Sequence, residues 1–563
     1  MNRALLLSVL SLLGLVPMPL HCQVQFTMQK LGMMPGLKLV NPNDTQYIGS
    51  FLYKPELAAG LADPDTFDHD PYGHHCTQIV PKPGGKCCVW LDGVESPLYD
   101  QVRHIVKGSF KVKEFKFSPD GRRLAYTARR GEKWRVLVDG KEGPEWDEVT
   151  APFFSGDSKH LCYRGEAGGK WYVQIDEKRY GPYEARDESP VYSTTLTTRS
   201  VAYDNAPATF SANGHFGICA FRGKNREMAV IDGKEGPEYN EVHGITLSAD
   251  GRRCAYVAAK NGKQFVVIDG KPGAKYAEVR WLGLTFSPDG KHLAYAALKP
   301  TGTDADLTTV VVADGKESRG YEDVLETSIT FSPDGKHLGY VATRNEAQCL
   351  VLDGKPGPNF DEVGSYNHYI LFSADGRRFA YEATRGEKHY MVIDGKASAA
   401  YDDIGGALFS PDGVHVAYPA KIGENWHIVL DGKIGPAYPG IETDSLTFSA
   451  AGILAFEAAN TEDLHSVVVE KQAREVYESS SAPAFSADGK HLAFIGGKKA
   501  ENTPRGWQAH LVVDGALSPA FDYCFEAPHF DPDGRLQFLV ARQVYEGGNP
   551  RWYLYRLTAS IGN

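Results

Sequence analysis

One short pattern returns from Phe117 almost to the C-terminus, and a chain that repeats at this interval buries its apolar faces by stacking the copies on one another. In its clearest copy it opens Phe117-Ser118-Pro119-Asp120-Gly121 and runs through Leu124-Ala125-Tyr126. It then turns at Arg130-Gly131-Glu132, continues from Trp134 to Val138, turns at Asp139-Gly140 and closes Trp146-Asp147-Glu148-Val149. Pro second and Gly fourth in Ser-Pro-Asp-Gly favour a type I turn between two extended runs. Leu124 and Tyr126 lie two apart with Ala125 between them, which gives a strand one bulky face and one small one. Asp139-Gly140 is a strong hairpin signal, because both residues tolerate positive φ. Each copy therefore reads as a meander of four short strands without a helix, and the fold class as all-β.

The opening anchor recurs at Phe154, Phe210, Leu247, Phe286, Phe331, Phe372, Phe409, Phe448, Phe485 and Phe530. The second-strand aromatic recurs as Tyr163, Phe221, Tyr256, Tyr295, Tyr340, Tyr381, Tyr418, Phe456, Phe494 and Phe538. The interval, about 37 to 45 residues with one longer gap, matches a four-stranded propeller blade. Counting a partial first copy gives about twelve blades, whereas one ring usually holds about 4 to 8. Two tandem β-propellers are therefore expected, over 88–325 and 326–563. Six plus six blades breaking near Leu325 is favoured over five plus seven and over one large ring.

The Ser-Pro-Asp-Gly-Lys/Arg-x-Leu-Ala-Tyr core resembles the WD-repeat-like propeller repeats of TolB type, over roughly residues 88 to 557. That resemblance implies the fold and says little about function, since propellers include scaffolds, peptide binders and gating domains. The separate α/β domain that precedes the TolB propeller has no counterpart here, so that protein's partners are not implied.

Residues 1–23 read as a secretory signal, with Arg3 before an apolar run from Ala4 to Val16 that is too short to span a membrane. A periplasmic or secreted protein is expected. Pro19-Leu20-His21 matches poorly the small residues that precede a lipidated cysteine, so Cys22 does not argue for a lipoprotein. No transmembrane segment follows. The net charge of −11 and the scatter of Lys and Arg over turns argue against nucleic acid and for a protein or other macromolecular partner with basic patches.

Residues 24–87 read as a divergent first half-blade, with Tyr47 to Tyr53 as its one strand-like stretch and a loop rich in Asp and His. Asp68, His69, His74 and His75, with Asp63, Asp65, Asp70 and Cys76 beside them, are the weak metal candidates, although their spacing fits neither a calcium loop nor a zinc motif and a solvated insertion explains them as well. In an oxidising compartment Cys76 is expected to bridge to Cys87 or Cys88, while Cys162, Cys219, Cys254 and Cys349 sit in apolar strands as buried thiols. The recurring aromatic-acidic pairs, such as Tyr99-Asp100, Trp146-Asp147 and Tyr401-Asp402, read as charges guarding each blade's outer edge.

No nucleophile elbow, phosphate loop or dinucleotide fingerprint is present, so no catalytic residue and no cofactor are assigned. His292, His337 and His491 share one repeat position and are repeat residues before they are bases. The expected function is that of a non-catalytic binding or scaffold protein. The alternative is a propeller enzyme of glycan lyase or hydrolase type, with a site built from the non-repeating segments 63–76, 186–207 and 299–307.

Overall fold

The computed structural model describes residues 24–33, 67–69, 75–92, 94–103, 105–107, 110–112, 115–184, 208–221, 226–300, 307–364, 369–461, 464–470, 472–500, 507–524, 527–530, 535–546 and 549–561. The signal segment 1–23 and the stretch Tyr47 to Tyr53 lie outside the described residues. Twelve antiparallel four-stranded sheets, here called blades 1 to 12 in chain order, are arranged in a ring.

Blade 3 shows the pattern. Its innermost strand comes in two pieces, Glu148–Val149 and Phe153–Phe154, and both pair with the second strand, Leu161–Ala167. Lys170–Ile175 and Lys178–Tyr183 follow outward. The sequence repeat and the blade are thus out of phase. Trp146 still pairs with Trp134 of blade 2, whereas Glu148 and Val149 already pair with Glu166 and Gly165 of blade 3. The aromatic therefore ends the outer strand of one blade, as Tyr183 does in blade 3, and the acid begins the crossover to the next. Asp147 takes the Lys133 ammonium of blade 2 on one oxygen and the Gly168 N–H of blade 3, at 2.8 Å, on the other. Asp402 does the same with Lys388 at 2.6 Å and the Gly423 N–H at 2.6 Å. These contacts hold both carboxyls below their usual range, the lysine hydrogen bond being the largest cause.

Both expected turns are present. The Gly121 N–H donates to the Ser118 carbonyl at 2.8 Å, which closes the Ser-Pro-Asp-Gly turn. In the Asp-Gly turns both residues have positive φ, as at Asp139 (52°) and Gly140 (78°). Asp176 and Glu470, which lack the following Gly, keep the same left-handed φ at 50° and 47°. The longer gap in blade 4 shifts one expected anchor. Strand pairing and the Phe216 N–H bond to Asp232 put Ile218, not Phe221, in the place of Tyr126. An aliphatic side chain fills that wedge, so the aromatic rule breaks there.

Apolar clusters lie between successive blades, each made from the bulky face of one second strand and the small face of the one before. Ala294, Ala296, Tyr321, Val324 and Tyr340 form the cluster joining blades 6 and 7. It is built like its neighbours, so the core runs without a break past residue 325, where a division into two rings was expected. Alanines at successive second-strand positions let adjacent sheets approach closely and keep the wedge between them thin, the condition a larger ring needs.

The two ends of the chain meet in blade 12. Tyr523–Cys524, Leu536–Glu546 and Asn549–Ile561 supply three strands, as the truncated final repeat implies, and Val24–Met33 supplies the outermost. Val24 pairs with Ile561 and Met33 with Tyr553. Residues 24–33 therefore belong to the last blade and not to a first half-blade. Phe67–His69 and Cys76–Pro81 are the inner strands of blade 1, whose Asp92 lies 3.7 Å from Arg556 of blade 12.

Tyr340 is buried between blades 6 and 7 and meets Tyr321 edge-on, with ring centroids 6.0 Å apart. Tyr340→Ala is expected to lower stability by about 3–5 kcal/mol in denaturant unfolding. An unchanged midpoint would contradict this packing.

Candidate functional site

On the face carrying the Ser-Pro-Asp-Gly turns, serine, histidine and aspartate recur side by side, the residue types of a hydrolytic triad. Their bonding is different. The Ser287 hydroxyl donates to Asp289 at 2.6 Å and accepts the backbone N–H of His292 at 3.0 Å. The His292 imidazole bonds through Nδ1 to Asp314 at 2.6 Å, and Asp314 also accepts the Leu293 N–H at 3.0 Å. Among the described residues no serine hydroxyl of these turns is bonded to an imidazole, which is the bond that a Ser–His–Asp triad uses. The Ser287 hydroxyl and Lys291 hold Asp289 well below the usual carboxylate range.

The same imidazole place is filled by His160, His215, His337, His415 and His491, and by Arg123, Arg253 and Arg378 in other blades. These side chains also reach the following blade. Arg253 lies over the Phe286 ring at 5.2 Å and donates to the Lys291 carbonyl at 2.7 Å, and His292 stacks on Phe331 at 6.3 Å. A Cβ on Gly214 would fall 2.2 Å from Nε2 of His160, so one side of that imidazole packs against the next turn. The repeat histidines are interlocks between blades.

His75, a metal candidate, occupies this repeat place in blade 1, with Nδ1 2.5 Å from Asp92. That nitrogen, Nδ1, is used within the blade. Asp68 and His69 lie in the inner strand Phe67–His69, and strand pairing sets His69 opposite Cys76. His74 and the side chains of Asp68, His69 and Cys76 lie outside what is described. Among the described residues no group of three metal-ligating side chains occurs. Cys87 and Cys88 carry free thiols. Pairing of Pro81 with Cys87 and of Thr77 with Leu91 sets Cys76 at the opposite end of the hairpin, roughly 15 Å along the strand and beyond the reach of a bridge. Cys162 and Cys219 are buried as expected, and burial pushes the Cys219 thiol up to about 12. Cys254 is only half-buried.

The groups that break the repeat are charged residues inside the seams. Between blades 10 and 11, Glu457 is 6% exposed and accepts the Ser480 hydroxyl at 2.7 Å, with His465 Nδ1 3.2 Å away. The hydrogen bond to Glu457 raises the pKa of His465. Burial, and then the Glu457 charge, raise that of the neighbouring Glu442. In the seam between blades 3 and 4 the corresponding strand position holds Arg164. Blades 5 to 7 bring His243 and Trp281 together at 6.0 Å, beside Glu326, which accepts the Leu282 N–H at 3.2 Å. None of these stood out in a reading that weighted repeated residues. The signal lay in the complement, a Glu or Arg where other copies place Val, Ala or Ile.

These features define the class of the protein as a β-propeller of twelve blades. No family model and no curated protein matches the chain. Solved structures similar to it include a eukaryotic initiation factor, at 12% identity over 66% of this chain and 89% of that one, with a TM-score of 0.31. The β-propeller domain of Cps50 (Swd1) from Myceliophteria thermophila is 15% identical over 57% of this chain and 95% of that one, with a TM-score of 0.22. Hydrazine synthase of Kuenenia stuttgartiensis is 11% identical over 56% and 94%, with a TM-score of 0.21. At such scores these likenesses carry nothing about ligand or activity.

A His pKa raised by folding contributes stability that is complete below its unfolded value of about 6.5 and is lost as pH rises through the folded value. His465→Gln is the comparison, because Gln264 and Gln348 fill that place in blades 5 and 7. The stability lead of the wild type over this variant is expected to shrink, by less than about 1 kcal/mol for a partly solvated ring, as pH rises from about 6 to 8. A lead that stays constant or grows would contradict the assignment.

Proposed function

We propose that this chain is an exported, non-catalytic β-propeller of TolB-like repeats that acts as a binding or scaffold protein in the cell envelope. The observation that carries the reading is that the recurring Ser, His and Asp groups are spent on turns and interlocks. A rigid ring with variable connections suits recognition. The apolar, Arg-led segment 1–23 supports export. The net charge of −11 favours a protein partner with basic patches over nucleic acid.

A glycan-acting enzyme is the alternative, and the paired carboxylates Glu442 and Glu457 beside His465 are the observation in its favour. Purified residues 24–563, immobilised and exposed to an envelope extract, are expected to retain basic proteins that elute between about 0.1 and 0.5 M salt. The same protein is expected to release no product from a polysaccharide library. Product release that is abolished by Glu442→Gln would overturn the binding reading in favour of the enzyme.

A further inference from the structure

Arg164 is 5% exposed, yet its Nε has no hydrogen-bond partner, and among the described residues no carboxylate lies within salt-bridge range of its guanidinium. Its backbone is fully used, the N–H bonding Thr150 Oγ1 at 3.0 Å and the carbonyl accepting the Thr150 N–H at 2.9 Å. The side chain lies on the strand face shared with Cys162 and Val173, which pack in the cluster between blades 3 and 4. Its ring contact is Trp171, 5.8 Å away. Burial alone pulls the guanidinium down, to about 10, which still leaves it charged at neutral pH. A guanidinium held largely out of water with no carboxylate opposite it is costly for a fold.

The repeat supplies its own controls. At the fourth residue of the second strand, where blade 3 has Arg164, other blades carry Thr127, Val257, Ala296, Val341, Ile495 and Leu539. In blades 8 and 10 the place holds Glu382 and Glu457, and both have partners, Glu457 having Ser480 and His465. Where the seam carries an acid, the fold answers it.

We propose that the seam between blades 3 and 4 is an anion-binding site in which Arg164 receives a carboxylate brought by a ligand. A single guanidinium compensates one negative charge, and its planar fork matches a carboxylate in two parallel hydrogen bonds. A phosphate dianion would leave a second charge in apolar surroundings formed by Val173, Ile175 and Phe210. The ligand is therefore a monocarboxylate with an apolar body, either a free small acid or the C-terminal carboxylate of a peptide.

The test is thermal unfolding of the full mature chain at constant ionic strength, with chloride replaced stepwise by formate, acetate, butyrate or phosphate. A carboxylate is expected to raise the melting temperature saturably, by a few degrees, and more than chloride or phosphate does. A short peptide with a free C-terminus acting where butyrate does not would identify the peptide as the source. Arg164→Met is expected to abolish the response. If that variant does not fold, Arg164→Lys, which keeps the charge and loses the fork, is expected to raise the half-saturating concentration about tenfold. A wild type that responds to no carboxylate beyond chloride, or a variant that responds as the wild type does, would overturn the site and leave the counter-charge to the chain itself.

Discussion

The ring depends on one recurring contact, made by the Arg or His that precedes the second strand in most blades. As Arg253 or His292 it bonds the aspartate of its own Asp-Gly turn and at the same time lies against the phenylalanine ring of the next blade. Each such ion pair is partly exposed and is worth little alone. Its effect is geometric, because it fixes the turn of one blade against the turn of the next at the rim, outside the apolar seam. The crossover acids, Asp147 and Asp402, do the same at the opposite ends of the strands. Blades that carry both contacts, such as blades 2 and 3, are thereby held to their neighbours at both rims as well as through the core between them.

This arrangement explains which residues are free to vary. Ser, Asp and Gly of the Ser-Pro-Asp-Gly turn are fixed by local bonds, and the glycine by its left-handed φ and by the preceding turn, whose Asp or Ser lies against Gly290, Gly335 and Gly413. Second-strand positions facing a seam must be apolar, small or internally paired. A charge there is the exception that needs a reason. Glu457 has one within the fold, and Arg164 has none among the described residues. The recognition chemistry of such a protein is thus to be sought in departures from the repeat and not in its most conspicuous residues.

Much of the architecture was legible in the sequence for that same reason. The type I and Asp-Gly turns are specified by Pro119, Gly121, Asp139 and Gly140 themselves, and the strand between them by Leu124-Ala125-Tyr126. Phase was not legible, because Trp146 and Val149 lie only three residues apart and only their hydrogen bonds show that they serve different sheets. The ring was not legible either, since the wedge between blades is set by packing of Ala294 and Ala296 against Tyr340 and not by a count of repeats. In the sequence His75 belongs to an Asp/His cluster. Its spacing from Asp92 reproduces the His–Asp pair of later blades once Phe67 to Cys76 is aligned with the Phe117 turn. The seam charges Arg164 and Glu457 were legible in principle, as non-apolar residues at an apolar repeat position.

A single ring whose first and last strands share one sheet is tested most directly by joining them. Gln25 of the outermost strand of blade 12 is the exposed cross-strand partner of Ser560, near the C-terminus. Gln25→Cys with Ser560→Cys, oxidised at low protein concentration, is predicted to give an intramolecular disulfide in nearly all molecules and to raise the melting temperature, because the bond closes a loop spanning almost the whole chain. Thiols that stay free, or that pair only between molecules, would show that the ends do not meet and would contradict the closed ring.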